Sequence, residues 1–312
     1  MYEIFGRSLE RYYNNDFIID NIAEIPEGVE EISNGAFSGA SIEKVVFPST
    51  LKRIGIDAFS DCSVSSVDFG KSLVEYIGDE AFAGNSKEYV KLIGSIPESL
   101  KYAGKNCFAR LDPGQSVRIP ASIEFAGQSA FNMKSVRSII VDKSAIDKNN
   151  GLFASFIPAA PCRNASEQTL HVLSGGRRAY SLQIYRQESI EYLKKMAKFC
   201  VDGRGFNIDA YDRCFRFMKH LRNRNSAAFY RLEHPEGLSR ANKKMYADFI
   251  NQNFASHVNR LKNDLPVMIA LEEAGVITYQ LLEKMIIIAR QSKNPDMLSH
   301  LAQYKEEHFP LS

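Results

Sequence analysis

Tryptophan is absent from this chain of 312 residues, cysteine is scarce at five, and no apolar run approaches the ~18 residues that span a bilayer. Cys62, Cys107, Cys162, Cys200 and Cys214 are odd in number and none sits at C-x-x-C spacing, which argues against a disulfide framework or a zinc ribbon. The six histidines form no H-x-x-x-H or H-E-x-x-H pair, and neither a G-x-S-x-G nucleophile elbow nor a phosphate loop occurs. The sequence therefore predicts no catalytic residue, no metal and no cofactor, and a protein that is not an enzyme. A triad assembled from distant positions leaves no local trace and stays open at this level. The first residues, Met1-Tyr-Glu-Ile-Phe-Gly-Arg-Ser-Leu-Glu, have no basic segment leading into an apolar one, so the expected location is cytoplasmic, without a membrane partner.

Net charge is also nearly absent, at +2, but it is unevenly placed. Residues 1–162 hold 16 Lys and Arg against 21 Asp and Glu, a net of −5; residues 163–312 hold 23 against 16, a net of +7. With 45% hydrophobic and 24% charged residues the composition is that of a folded globular chain long enough for two domains.

What is present is a repeat. A small residue followed by Phe returns at Ala36-Phe37, Ala58-Phe59, Ala81-Phe82, Cys107-Phe108 and Ala130-Phe131. Five residues before each Phe stands Ile32, Ile54, Ile77, Ala103 or Ala126, and the next residue is Gly55, Gly78, Gly104 or Gly127 in all but the first, where it is Ser33. Glycine there predicts a tight turn whose backbone conformation penalises a side chain. Cys107 takes the alanine's slot and reads as a small core residue rather than a nucleophile.

Downstream of each Phe the period is two, which predicts a strand with one inward ladder of Val45, Val67, Val90, Val117 and Ile139 and a second of Phe47, Phe69, Leu92, Ile119 and Val141. A unit of about 23 residues cannot bury its own apolar face, and stacking such units joins their faces into one core. The sequence thus predicts a two-domain α+β chain: a β-solenoid of stacked short parallel strands, then an all-α helical domain. Residues 1–21 read as an N-terminal cap, a short amphipathic helix and a strand carrying Leu9, Tyr12, Tyr13, Phe17, Ile18 and Ile19. Five repeats fill 22–142, a C-terminal cap and linker 143–185, and the helical domain 186–312.

Ile54-Gly55, Ala58-Phe59, Cys62, Val64, Val67 and Phe69 follow the pattern I-G-x-x-A-F-x-x-C-x-x-L-x-x-I-x-I-P, and the chain over roughly 22–142 resembles the BspA-type (Treponema-type) leucine-rich repeats of bacteria. The resemblance implies a leucine-rich-repeat solenoid; many of its members look like cell-surface adhesion or host-binding proteins.

Residues facing outward on the predicted strands are the candidate partner-binding surface: Lys44, Ser66, Tyr89, Ser116 and Ser138 in one row, Val46, Asp68, Lys91, Arg118 and Ile140 in the next. Farther on, Thr169 to Leu173 predicts a last strand and Ser174-Gly-Gly-Arg-Arg178 a turn.

After about Tyr185 the period becomes 3.6. Helices are predicted over 188–200, 207–221, 226–232, 239–262, 265–273, 278–290 and 294–307, with Thr278 as a cap and Asn294-Pro295 as N-cap and N1. Arg213, Arg216, Lys219, Arg222 and Arg224 gather on the second of these helices and its exit, a candidate basic patch. The stretch from Leu265 resembles ankyrin-like helix–turn–helix units, and 195–307 is similar to a C-terminal helical module of uncharacterised Firmicutes proteins; no activity is implied. The reading that follows is a non-enzymatic protein–protein interaction or scaffold protein, its partner unidentified. The alternatives are a nucleic-acid-associated regulator working through the basic helices, or an adhesion protein if the chain is exported by an unrecognised route.

Overall fold

The computed structural model describes residues 1–13, 21–83, 89–133, 135–149, 151–158, 167–185, 188–202 and 205–310. The chain divides into two compact units, Met1–Asn207 and Ile208–Ser312.

The first unit is a solenoid of stacked parallel strands. One wall is a seven-stranded sheet: an opening hairpin, then the two-residue strands Glu31–Ile32, Arg53–Ile54, Tyr76–Ile77, Tyr102–Ala103 and Phe125–Ala126, one per repeat. A second wall holds Ile22–Glu24, Ser41–Val46, Ser63–Asp68, Val90–Ile93 and Leu111–Asp112, all parallel. Between them runs a column of buried rings: Tyr12, Phe37, Phe59, Phe82, Phe108, Phe131 and Phe156, with successive centroids 4.6 to 6.4 Å apart. Each repeat exposes its aromatic ring to its neighbours alone, so the core exists only because the units stack.

The N-terminal helix expected from Leu9, Tyr12 and Tyr13 is instead an antiparallel hairpin, Tyr2–Phe5 with Ser8–Tyr12, turning at Gly6 with φ 61°. Its second strand copies the repeat: Leu9 pairs with Ile32, and the Tyr12 ring stacks 5.1 Å from Phe37. Filling both ladder positions at the end of the stack outweighs local helix preference. Phe17, Ile18 and Ile19 lie outside the described residues.

The repeat glycines serve a different purpose from the one expected. Gly55, Gly78, Gly104 and Gly127 do not have positive φ. A Cβ on Gly78 would lie 2.6 Å from the Ile56 nitrogen, and one on Gly127 would lie 2.5 Å from the Lys105 nitrogen. Glycine is needed there because adjacent rungs approach backbone to backbone. The left-handed turn comes two residues later, at Gly35, Asp57, Glu80, Asn106 and Ser129, with φ between 53° and 62°. Ser33 replaces the glycine where the neighbour is the capping hairpin, and its Oγ bonds Ser8 and Glu10.

The stack does not end at Val141. Helix α1 (Lys143–Lys148) and helix α2 (Leu152–Ser155) lead to Phe156, which extends the ring column, and Gln168–Ser174 pairs in parallel with Ser138–Asp142. Arg177–Ile184 then closes that sheet antiparallel, across the turn at Gly175 and Gly176. Helix α3 (Ile190–Phe199), capped by Ser189, and a ribbon of Val201–Asp202 with Gly205–Phe206 complete the unit. The change of sequence period near Tyr185 and the division between compact units therefore do not coincide, because α3 packs on α2.

The second unit is helical. It comprises α4 (Ile208–Arg213) with a 3-10 turn at Cys214–Phe217, α5 (Leu221–Glu233), α6 (Arg240–Gln252), α7 (Phe254–Leu261), α8 (Leu265–Glu273), α9 (Tyr279–Gln291) and α10 (Pro295–His308). Asp264, Thr278 and Asn294 cap α8, α9 and α10 through their side chains, with Pro295 in the first turn of α10. The single helix expected over 207–221 is broken: Met218 is extended, with ψ 131°. Phe215 and Met218 are both buried at the break. The long helix expected over 239–262 likewise splits at Asn253.

Candidate functional site

The outward row on the five-stranded sheet follows from its register. Lys44 pairs with Ser66 and Ser66 with Lys91; Val46 pairs with Asp68 and Asp68 with Ile93. Tyr89 precedes its strand, so Lys91 takes the place expected for Tyr89, and Ile93 the place expected for Lys91. The inward ladder shifts with it, Val67 pairing with Leu92 rather than Val90. A slip of two residues leaves every side chain on its own face, so alternation alone does not reveal it.

The expected continuous surface is also divided. Leu111–Asp112 ends the five-stranded sheet, and the chain turns at Gly114, φ 87°, whose N–H donates to Asp112 Oδ1 at 2.8 Å. Ser116, Arg118, Ser138 and Ile140 stand in a separate four-stranded sheet, where Ser116 pairs with Ser138 and Arg118 with Ile140. That second face continues onto Thr169 and His171 and is covered at Ser181, which is buried and shares a 2.9 Å hydrogen bond with His171 Nδ1. The alternation in Thr169-Leu-His-Val was the available signal for these additions.

Both faces mix polar residues with apolar ones, Val46 and Ile93 on the first and Ile140 on the second, and are partly self-satisfied. Lys44 lies 3.3 Å from Asp68, Arg118 lies 2.9 Å from Asp142, and the Ser66 hydroxyl donates to the Glu43 carbonyl at 3.3 Å. Ion pairs this exposed contribute at most ~1 kcal/mol each, so they order the surface more than they stabilise the fold.

The five basic residues proposed as a patch are spread over α4 (Arg213), the 3-10 turn (Arg216), the connecting segment (Lys219) and α5 (Arg222 and Arg224) rather than one helix. Arg213 pairs with Asp209 at 3.3 Å, and Arg216 Nε donates to Met245 Sδ at 3.3 Å. Arg224 lies over the rings of Phe215 and Phe249, 5.0 and 4.6 Å from their centroids. Lys219 and Arg222 are exposed beside the helix break. Arg224 therefore packs against the core, and the patch has no common face given by one helix.

Beside it lies a cluster that sequence reading missed. Asp212 and Arg231 are both buried, and Arg231 donates from Nε and Nη2 to the two Asp212 oxygens at 2.8 and 3.2 Å. Its remaining donors reach the carbonyls of His234 and Glu236, and the Tyr246 hydroxyl donates to Asp212 Oδ1 at 3.0 Å. Burial pushes the Asp212 carboxyl upward, opposed by the Arg231 and Tyr246 hydrogen bonds. Each of these polar atoms has a hydrogen-bond partner, and the cluster joins α4, α5 and α6. Nothing in the local sequence marks it, because Asp212 and Arg231 meet only after the helices pack.

Among the described residues no group of His, Cys, Asp and Glu is arranged to hold a metal. Burial pushes the Cys62 thiol up to about 11 and Cys107 well above its ordinary value, so neither is a thiolate near neutrality. Cys162 lies outside the described residues. A surface depression of ≈ 540 Å³ lies between Ile157 and the α3 residues Lys194 and Lys198, and one of ≈ 300 Å³ lies between α8 and α10, where His300 bonds Glu272 at 2.9 Å. No helix described is long and apolar enough to cross a membrane.

No curated protein matches this chain. Among solved structures it is similar to a leucine-rich repeat protein of Eubacterium ventriosum ATCC 27560, at 17% identity and TM-score 0.28, over 55% of this chain and 39% of that one. It is also similar to a leucine-rich repeat protein of Bacteroides ovatus ATCC 8483, at 16% identity and TM-score 0.22, over 49% of this chain and 61% of that one. The chain thus spans less than two thirds of either structure. Residues 30–157 match the BspA type leucine rich repeat region in six copies, one more than the five Phe-anchored units of the sequence, and the sixth ring of the Phe column, Phe156, lies within the matched segment.

Proposed function

We propose that this protein is a non-enzymatic binding or scaffold protein whose solenoid presents its outward strand residues to a protein partner. Leucine-rich-repeat proteins generally mediate protein–protein interaction. The supporting observation is the row Lys44, Ser66 and Lys91, held at the ~4.8 Å spacing of paired strands on a scaffold whose core is fully committed to stacking. Such a row offers alternating polar and charged groups in fixed register, suited to an extended polar segment of a partner. Its lack of clustered aromatics fits a modest, exchangeable affinity. The helical unit is read as a second, ankyrin-like interaction module, with α9 and α10 forming one of its antiparallel pairs.

Photocrosslinking tests this reading. With benzoylphenylalanine at Ser66, Lys91, Ser116 or Ile140 in the full chain, irradiation in the producing cell is expected to give a discrete crosslinked protein, and the same probe at Arg177, the first residue of the closing strand, is not. Failure of all four positions to crosslink would overturn the proposal.

A further inference from the structure

The opposite wall of the solenoid carries a pattern that the proposed partner surface does not use. Each two-residue strand of the seven-stranded sheet is preceded by a charged residue. Backbone hydrogen bonds fix these in one row: Glu30 N–H to the Arg7 carbonyl at 2.8 Å, Lys52 to Glu30 at 2.8 Å, Glu75 to Lys52 at 2.8 Å, Lys101 to Glu75 at 2.9 Å, and Glu124 to Lys101 at 2.8 Å. The six side chains alternate in sign along the stack, Arg7, Glu30, Lys52, Glu75, Lys101 and Glu124. At ~4.8 Å per rung the row is about 24 Å long.

An alternating row with an even number of members has a geometric property that an odd or uniform row lacks. Reversed end to end and laid against itself, it places an unlike charge at every position. Arg7 meets Glu124, Glu30 meets Lys101, and Lys52 meets Glu75, each twice. Laid in the same direction without a shift, every contact would be between like charges.

The neighbouring row behaves consistently. It runs Ser8, Glu31, Arg53, Tyr76, Tyr102, Phe125, with Tyr76, Tyr102 and Phe125 stacked at 4.4 and 4.5 Å and the Arg53 guanidinium 3.6 Å from the Tyr76 ring centroid. Reversal sets Arg53 against Tyr76 of the second copy, a cation–π contact of the kind the chain already makes within itself. Phe125, 46% exposed, ends the aromatic file.

We infer that this wall is a self-association surface: a second copy of the chain docks on it face to face, about a two-fold axis parallel to the strands that passes between the rungs of Lys52 and Glu75. The contact is isologous, so it closes as a dimer. Within one chain, Lys52 reaches Glu30 at 3.0 Å and Lys101 reaches Glu75 at 2.9 Å, which orders the row before association. The Lys52 hydrogen bond holds the Glu30 carboxyl below its ordinary range, and the Glu75 hydrogen bond holds Lys101 above its own, so both stay ionised near neutral pH. The inference does not depend on the partner surface proposed above, which lies on other strands.

Sedimentation velocity on the full chain across a dilution series is expected to show a monomer–dimer equilibrium that weakens with added salt. Lys52→Glu makes both central pairings like-charged, as does Glu75→Lys, and each is expected to weaken the dimer Kd roughly 100-fold. Mixing the two variants restores unlike charges at both positions, and a mixed dimer of near wild-type affinity is expected. These side chains are 55% and 50% exposed, so unchanged thermal melting should accompany the loss of dimer. If either variant fails to fold, Glu30→Lys and Lys101→Glu, which face each other in the same register, repeat the exchange. The inference is overturned if the wild-type chain stays monomeric throughout, if the variants leave association unchanged, if species grow past the dimer, or if the mixture binds no more tightly than either variant alone.

Discussion

The two units of this chain are stabilised in contrasting ways. The solenoid repeats one solution, a buried Phe, an Ile or Ala strand position and a glycine at the rung contact, so that its stability is spread along the stack. The helical unit adds to its apolar core one arrangement that is not repeated, the buried Asp212–Arg231–Tyr246 cluster that joins three helices. Repetition tolerates a weak member, as Ala103 and Ala126 show in place of Ile. An ion pair buried on both sides, found once among the described residues, has no spare.

The largest loss is expected for Arg231→Ala. It strips the buried Asp212 carboxyl of its counter-ion and is expected to cost the helical unit roughly 3–5 kcal/mol, read as loss of its transition in urea denaturation followed by circular dichroism. Replacing Asp212 and Arg231 together by apolar residues of similar volume should recover most of that loss. Phe82→Ala opens a void in the ring column and is expected to cost about 3 kcal/mol; amide exchange should quicken most in the adjoining repeats, because each rung rests on its neighbours.

Glycine substitutions sharpen the contrast within the solenoid. Gly104→Ala drives a Cβ into the backbone of Asp79 and is expected to cost about 1–3 kcal/mol in chemical denaturation. Gly114→Ala, with open space around it but φ 87°, should cost only about 1 kcal/mol. A reversed order would mean that rung contact is not the reason for the repeat glycines.

The helical unit should also respond to pH. His257 is buried against the Phe229 ring, with Nε2 unpaired, and burial followed by the charge of Arg260 lowers its pKa below the ordinary 6.5. The unfolded chain then takes up the proton first. Stability from neutral His257 is complete above pH 6.5 and falls as the pH drops below it. Thermal melts of the wild type should show this slope, and His257→Gln should flatten it. The smallest effect is expected for Lys44→Ala, whose exposed pair with Asp68 contributes about 0.2–1 kcal/mol, less at high salt.

Much of the solenoid was legible because its constraints are local and repeated. The Phe column, the Ile and Val ladders and the cap at Asn294 each follow from residue type at fixed spacing. The N-terminal hairpin was not, because Leu9 and Tyr12 also fit one face of a helix, and only the end of a stack requires them in a strand. Of the candidate surface, the residues that face outward were legible but their neighbours were not: Lys91 and Tyr89 lie on the correct side of the chain while their rung depends on a two-residue slip. The basic patch read from Arg213 to Arg224 assumed one helix, and the 3-10 turn with the extended Met218 divided it.

Residue type and spacing alone dictate a stacked-repeat solenoid followed by helices, because a short unit with a half-buried strand and a ring has no other way to bury its apolar face. Which side chains share a surface is set in three dimensions. Parallel pairing sets that register rung by rung, and it separated the expected strand row into two sheets, joined Asp212 to Arg231 across helices, and aligned Arg7, Glu30, Lys52, Glu75, Lys101 and Glu124 from six segments into one alternating row.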